Sequence, residues 1–242
     1  MGMRYILPAR DLIASEVELM VQAHQLDGVL LIGSCDKIVP GMLMAAARLG
    51  LPAILINGGP MMPGTVQGRH CDCTTVEVAY AHWRKRKISR RQFEEIEEAA
   101  CPTLGSRAHI GTANTMGCVA EAFGLSLPGT ALIPAYMAAR FRSAEEAGRR
   151  IVAIVREGLT TKEILTAEAL ENAIRLSLAI GGSTNSLLHI PAIAQEAGVQ
   201  IEMEDFRRLS EETPNWLPSC PPPLTMWSTS TRQEAFPLCS KS

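Results

Sequence analysis

The sequence lacks any apolar run approaching the roughly 20 residues that a helix needs to cross a bilayer, and no membrane role is expected. No secretory leader is expected, because the opening MGMRYILPARDL is charged and holds no cleavable apolar segment. Neither sign of charge is in excess, because 23 Lys and Arg stand against 25 Asp and Glu for a net charge of -2. That balance gives no general drive toward nucleic acid or an anionic lipid surface. The basic run RKRKISRR (84–91) sits just before the acidic EEIEEA and reads as a solvated helical hairpin of mixed charge. A disulfide framework is lacking too, since seven cysteines at irregular spacing leave an odd one over. The expectation is a reducing, cytoplasmic compartment. CDC, Cys71 to Cys73, has no matching second pair and makes a weak zinc motif. No internal repeat is visible.

What is present is a chain of 242 residues, 47% apolar, able to bury a sizeable core as one large domain or two small ones. ARDLIASEVELMVQAHQLDG places Leu12, Ile13, Val17, Met20 and Val21 on one helical stripe. GVLLIG then reads as a short buried strand, PGMLMAAARLGL as a helix stopped by Gly50, and PAILIN as a second strand. Continuous apolar strands around a helix predict a right-handed βαβ unit and an α/β fold, a parallel sheet flanked by helices. SAEEAGRRIVAIVREG opens on a capping-box pattern, Ser143 and Glu146, and predicts a helix ending at Gly158. TAEALENAIRLSLAIGG predicts a helix capped by Thr166, and STNSLLHIPAIAQEAG another that begins at Ser183 to Asn185.

Ligands of open α/β sheets bind beyond the carboxyl ends of the strands. Cys35, Asp36 and Lys37 occupy that place after the first strand, and NGGPM with Gly58 and Gly59 occupies it after the second. Taken alone, Cys35 reads as a buried inert thiol and Asp36 as a helix cap as readily as a metal ligand. Together, a thiolate for iron beside a carboxylate for a hard divalent ion would hold two Lewis acids close to each other. Gly58 and Gly59 fit either a close backbone approach to a ligand or a tight turn. Ser183, Thr184 and Asn185 fit either an anion-binding helix start or an ordinary cap. His189 lies among apolar residues and reads as a core histidine, and Cys118 reads as core.

GMRYILPARDLI, AHQLDGVLLIGSCDKIVPGMLMAAARLGLPAILINGGPM, GTANTMGCVAEAFGLSLPG and NAIRLSLAIGGSTNSLLHIPAIAQEAGV together resemble the dihydroxy-acid dehydratase family, which includes phosphogluconate and sugar-acid dehydratases. The resemblance implies a dehydratase N-terminal domain over residues 1–214. It implies a hydro-lyase that removes water from a 2,3-dihydroxy acid to give a 2-keto acid, as in branched-chain amino acid biosynthesis. Branched acids come ahead of sugar acids and phosphogluconate. An iron–sulfur cluster and Mg²⁺ are the implied cofactors, and a homodimer the implied assembly. By the same resemblance Cys35 matches a cluster thiolate, Asp36 a Mg²⁺ ligand, and Lys37 a lysine that ligates Mg²⁺ once carbamylated. Mg²⁺ would bind the substrate carboxylate and 2-hydroxyl, and a cluster iron would take the leaving 3-hydroxyl.

The chain departs from the family pattern in CPTLGSRAHIGTANTM, where Leu104 and Arg107 stand in place of two cysteines. Arginine stays protonated and cannot ligate iron. The resemblance further implies that one cluster cysteine and one Mg²⁺-binding aspartate lie before Met1. A serine base and a glutamate ligand belong to a following domain, so no catalytic residue is assigned in this chain. Residues 215–242 are polar and aperiodic, and shifting their codons forward by two bases permits the family's own continuation, so an out-of-frame, disordered tail is expected. The expectation is a truncated chain without cluster or activity, or alternatively a folded remnant that associates with or modulates a full-length relative.

Overall fold

A computed structural model describes residues 2–216. A 3₁₀ turn at Gly2–Tyr5 leads into α1 (Ile6–Ala23), β1 (Val29–Gly33), α2 (Ile38–Leu49) and β2 (Ala53–Asn57). There follow β3 (Gly64–Val66), β4 (Arg69–Cys71), α3 (Cys73–Arg84), α4 (Arg90–Ala99) and α5 (Thr112–Ala122). The remainder is helical: α6 (Ala138–Glu157), α7 (Thr161–Ile164), α8 (Ala167–Ala179), α9 (Ser186–Ala197) and α10 (Met203–Glu212).

β1 and β2 pair in parallel, with Val29 opposite Ala53 and Gly33 opposite Asn57. All of β2 is buried because helices cover both faces of the pair. Alternate side chains of a strand point to opposite faces. Leu31 and Leu55 therefore enter the main core with Leu43 of α2, Met116 and Val119 of α5, Ile174 of α8 and Ile190 of α9. Ile54 and Ile56 face the other way, onto Ala147 and Ile154 of α6. Each such side chain contributes about 1.5–3 kcal/mol by leaving water. Arg48 of α2 ties three helices together through Glu18 on α1 and Glu196 on α9, each at 2.7 Å.

The βαβ unit and the α/β class agree with the expectation from the strand runs. The mixed-charge hairpin forms as well: α3 and α4 pack together, their start caps are Asp72 and Ser89, and Trp83 stacks on Phe93 at 5.4 Å between ring centroids. Three readings need correction. On α1, Leu12 and Met20 are exposed while Val21 of the expected stripe is buried together with Ala14, and α2 approaches α1 closely at Gly41, where a Cβ would stand 2.7 Å from the Arg10 carbonyl oxygen. α6 begins at Ala138, five residues before Ser143, whose hydroxyl donates to the Arg140 carbonyl inside the helix. The third is an omission: a short antiparallel hairpin, β3–β4, went unread and packs against α4. The tail expected over 215–242 falls outside the described residues from 217 onward; Trp216 donates its N–H to the Ala179 carbonyl at 2.8 Å. Among the described residues no helix is long and apolar enough to cross a membrane.

Candidate functional site

The loop after β1 turns sharply. Cys35 adopts φ +85°, in the left-handed region that side chains rarely enter, and is exposed. That overturns its reading as a buried thiol. Asp36 does not cap α2, whose N-cap is Lys37 with no side-chain cap bond. Lys37 directs Nζ to within 3.3 Å of Nε2 of His189, which is wholly buried on α9. The other ring nitrogen, Nδ1, lies 3.3 Å from Nη1 of Arg10 on α1. Burial, aided by the charges of Lys37 and Arg10, lowers the His189 pKa to about 4, so the ring is neutral at pH 7. His189 is thus a core histidine set between two cationic heads, its one unprotonated nitrogen accepting from Lys37 or from Arg10 according to the tautomer.

Beyond β2 the chain makes a close turn. Gly58 donates its N–H to the Gly33 carbonyl at 2.8 Å, so the two strand ends stay together. Gly59 has φ +88°, and a Cβ there would sit 2.2 Å from the Ile133 carbonyl oxygen. Only glycine fits. The Gly59 carbonyl accepts from the Ser106 N–H at 2.9 Å and from Ser106 Oγ at 3.2 Å. The single Ser106 hydroxyl proton is shared with Asn114 Oδ1 at 2.8 Å, and Asn114 Nδ2 donates to the carbonyls of Arg107 and His109. Asn114, fully buried in α5, therefore shapes the loop that carries Arg107.

The same loop carries His109, whose ring meets Asp72, the N-cap of α3. His109 Nδ1 lies 2.9 Å from Asp72 Oδ2. Burial works to raise the Asp72 pKa, but hydrogen bonds from His109 and Thr75 outweigh it and hold the carboxyl at about 2. Burial raises the pKa values of Cys71 and Cys73, which also feel Cys101, and Arg107 partly offsets the effect at Cys73. Cys118 lies in the core, as expected, its pKa pushed up by burial to about 12.

Ser183 and Asn185 are knitted to the start of α5. Ser183 Oγ lies 2.9 Å from Thr112 Oγ1, Asn185 Nδ2 donates to Thr112 Oγ1 at 2.8 Å, and Thr115 Oγ1 accepts from the Ser183 N–H at 3.0 Å. Asn185 makes no side-chain cap bond to α9. Thr184 is exposed. α9 thereby joins two groups: its first turn reaches Thr112 and, one turn on, His189 reaches Lys37. The polar contacts make up a strip of three linked pieces: Lys37 with His189 of α9, Ser183 and Asn185 before α9 with Thr112 of α5, and Asn114 of α5 with Ser106 and Gly59. Cys35 and Asp36 immediately precede Lys37 in the chain. Arg10, Asn114, Thr112 and the Asp72–His109 pair were not singled out from sequence. For Asn114 the clue was its place in the GTANTM segment, whereas nothing local marked Arg10.

The fold and this strip define the class first: an α/β domain with polar groups gathered beyond the carboxyl ends of a parallel strand pair. The sequence model of the dihydroxy-acid/6-phosphogluconate dehydratase N-terminal family matches residues 1–227. Dihydroxy-acid dehydratases of Caldanaerobacter subterraneus, Methanosarcina barkeri and Pyrococcus furiosus are 51%, 50% and 49% identical over 214 residues, 88% of this chain. The chain belongs to this dehydratase family and corresponds to its N-terminal region. It spans 38–39% of the length of these relatives.

The family implies an iron–sulfur cluster and Mg²⁺. Among the described residues, however, no three His, Cys, Asp or Glu side chains are grouped so as to hold a metal ion. Cys35 stands at its exposed turn, and Arg107 lies in the loop whose matching position would supply a second thiolate. These residues do not make a complete ligand set for either group.

Proposed function

We propose that the chain belongs functionally with enzymes that remove water from a 2,3-dihydroxy acid to give a 2-keto acid, as in branched-chain amino acid biosynthesis. Sugar acids or phosphogluconate are the alternative substrates. The observation that carries this reading is the joining of Lys37, Ser183 and Asn185 through α9, in a chain about half identical to dihydroxy-acid dehydratases. Cys35 is assigned to iron, and Asp36 and carbamylated Lys37 to Mg²⁺, as members of a larger ligand set. Gly58, Gly59, Ser183, Thr184 and Asn185 are assigned to the substrate side. The assembly is a homodimer and the compartment cytoplasmic. On its own, the chain does not retain the cluster or turn over substrate, because a guanidinium cannot replace a thiolate.

A chimera tests the family reading. Residues 2–214 replace the matching region of the Caldanaerobacter subterraneus dehydratase, with and without Leu104→Cys and Arg107→Cys. The doubly substituted chimera should dehydrate a branched 2,3-dihydroxy acid, and the unsubstituted one should not. A substituted chimera that folds and holds its cluster yet turns over no 2,3-dihydroxy acid would sink the assignment.

One observation favours the second reading, a non-catalytic remnant that associates with or modulates a full-length relative. Tyr5, Leu12, Leu19 and Leu26 recur every seven residues along and beyond α1 and are all exposed. An apolar line of this kind supports association with another chain. Binding of the unmodified chain to the full-length Caldanaerobacter subterraneus dehydratase with a change in its activity favours that reading, and turnover by the substituted chimera favours the enzyme.

A further inference from the structure

Arg140, near the start of α6, is 7% exposed. Arg48, Arg150, Arg175 and Arg208 are all less buried, and each meets a carboxylate within 2.8 Å. Arg140 instead donates from Nη2 to the Ile133 backbone carbonyl, while its Nε and Nη1 are buried and meet no hydrogen-bond partner among the described residues. Burial lowers its pKa from the ordinary arginine value. A buried charge without a partner is strongly unfavourable. Three N–H donors on Nε and Nη1 await an acceptor.

The surroundings point to what that acceptor is. The side chain leans back toward the start of its helix, as long helical side chains do. α6 begins there without a side-chain cap, so its first amides add a positive field. The guanidinium head lies against Gly59, where a Cβ would come 2.9 Å from Nη2, and so borders the loop beyond β2. Tyr136, Met137 and Phe141, all well exposed, supply apolar surface beside it. One positive charge in a tight space matches one small, flat, singly charged group, and arginine's planar fork fits a carboxylate.

We propose that Arg140 and the start of α6 form a receptor for one carboxylate, carried by a free organic acid or by an acidic side chain of a second copy of this chain. The assignment does not depend on dehydratase chemistry, and it is read out by binding alone.

Melting of the full chain in acetate, compared with chloride at equal ionic strength, tests it together with Arg140→Gln and Arg140→Met. For a free acid, acetate raises the melting temperature of the unmodified chain by about 3–5 °C for each tenfold increase above the dissociation constant. Both variants lose that rise. For a second copy, acetate does little at high protein concentration, but sedimentation shows a self-association that Arg140→Gln abolishes. Should neither variant fold, the difference between acetate and chloride in the unmodified chain, or its self-association competed away by acetate, decides the matter. No acetate response and no Arg140-dependent association would overturn the proposal.

Discussion

Gly59→Ala tests the turn that closes the end of β2 and borders the strip. Two costs act there. The backbone at φ +88° is unfavourable for alanine by roughly 1–2 kcal/mol. The added Cβ would stand 2.2 Å from the Ile133 carbonyl oxygen and 3.0 Å from the Ala135 amide nitrogen, both backbone atoms that cannot rotate away. Overpacking of this kind costs about 1–3 kcal/mol. The sum, about 2–5 kcal/mol, is a large share of an ordinary domain's stability of roughly 5–15 kcal/mol. Gly148→Ala is the control: it lies within α6 with nothing inside 4 Å of its Cβ position. Helix propensity then makes the control more stable by about 0.5–1 kcal/mol. Urea unfolding followed by circular dichroism reads both. A Gly59→Ala protein within about 0.5 kcal/mol of the unmodified chain, at equal denaturant slope, would refute the packing argument.

Asp72→Asn keeps an acceptor for the Thr75 N–H but loses the charge that faces His109. Because the folded Asp72 pKa is lowered to about 2 from 3.8, its contribution of about 2 kcal/mol is present above pH 4 and lost as the pH falls through 2. The stability gap between Asp72→Asn and the unmodified chain should therefore close between pH 4 and 2; a gap that stays constant over that range counts against the pair. Ser89→Ala removes the cap that accepts from the Gln92 N–H and should cost about 1 kcal/mol in urea unfolding, with an unchanged value pointing to a frayed α4. The gene itself checks the proposed frameshift: read two bases forward after codon 214, it should encode Val-Val-Asp-Leu-Tyr-Gln-Ala-Gly-Gly, and a gene that cannot do so disposes of the idea.

The β1–α2–β2 unit was legible because its signals are local: apolar runs of strand length, a helix-forming stretch between them and Gly50 in the left-handed conformation at its end. α6 was misplaced because Ser143 and Glu146 reproduce a capping box inside a helix that strong formers, Ala138 and Ala139 among them, had already begun. The β3–β4 hairpin went unread because its strands are three residues each, although Gln67 and Gly68 both take positive φ, as tight hairpin turns require. At the site, strand-end position marked Cys35 to Lys37 and the family resemblance gave them roles. What Lys37 meets could not be read locally, since His189 is 152 residues away and its apolar neighbours describe a core position, which it also is. The backbone of the turn at Cys35, which brings the thiol into the open, likewise follows from no residue type, because cysteine seldom adopts φ +85°.

The central claim is that this member of the dehydratase family does not assemble the family's cluster on its own residues. Anaerobic reconstitution of the unmodified chain and of Arg107→Cys, followed by iron and sulfide analysis and by assay with a branched 2,3-dihydroxy acid, tests it most directly. Neither protein should hold a stoichiometric cluster or turn over substrate. A near-stoichiometric cluster with turnover in the unmodified chain would show that Cys101 or another thiol completes the ligand set, and would contradict the account.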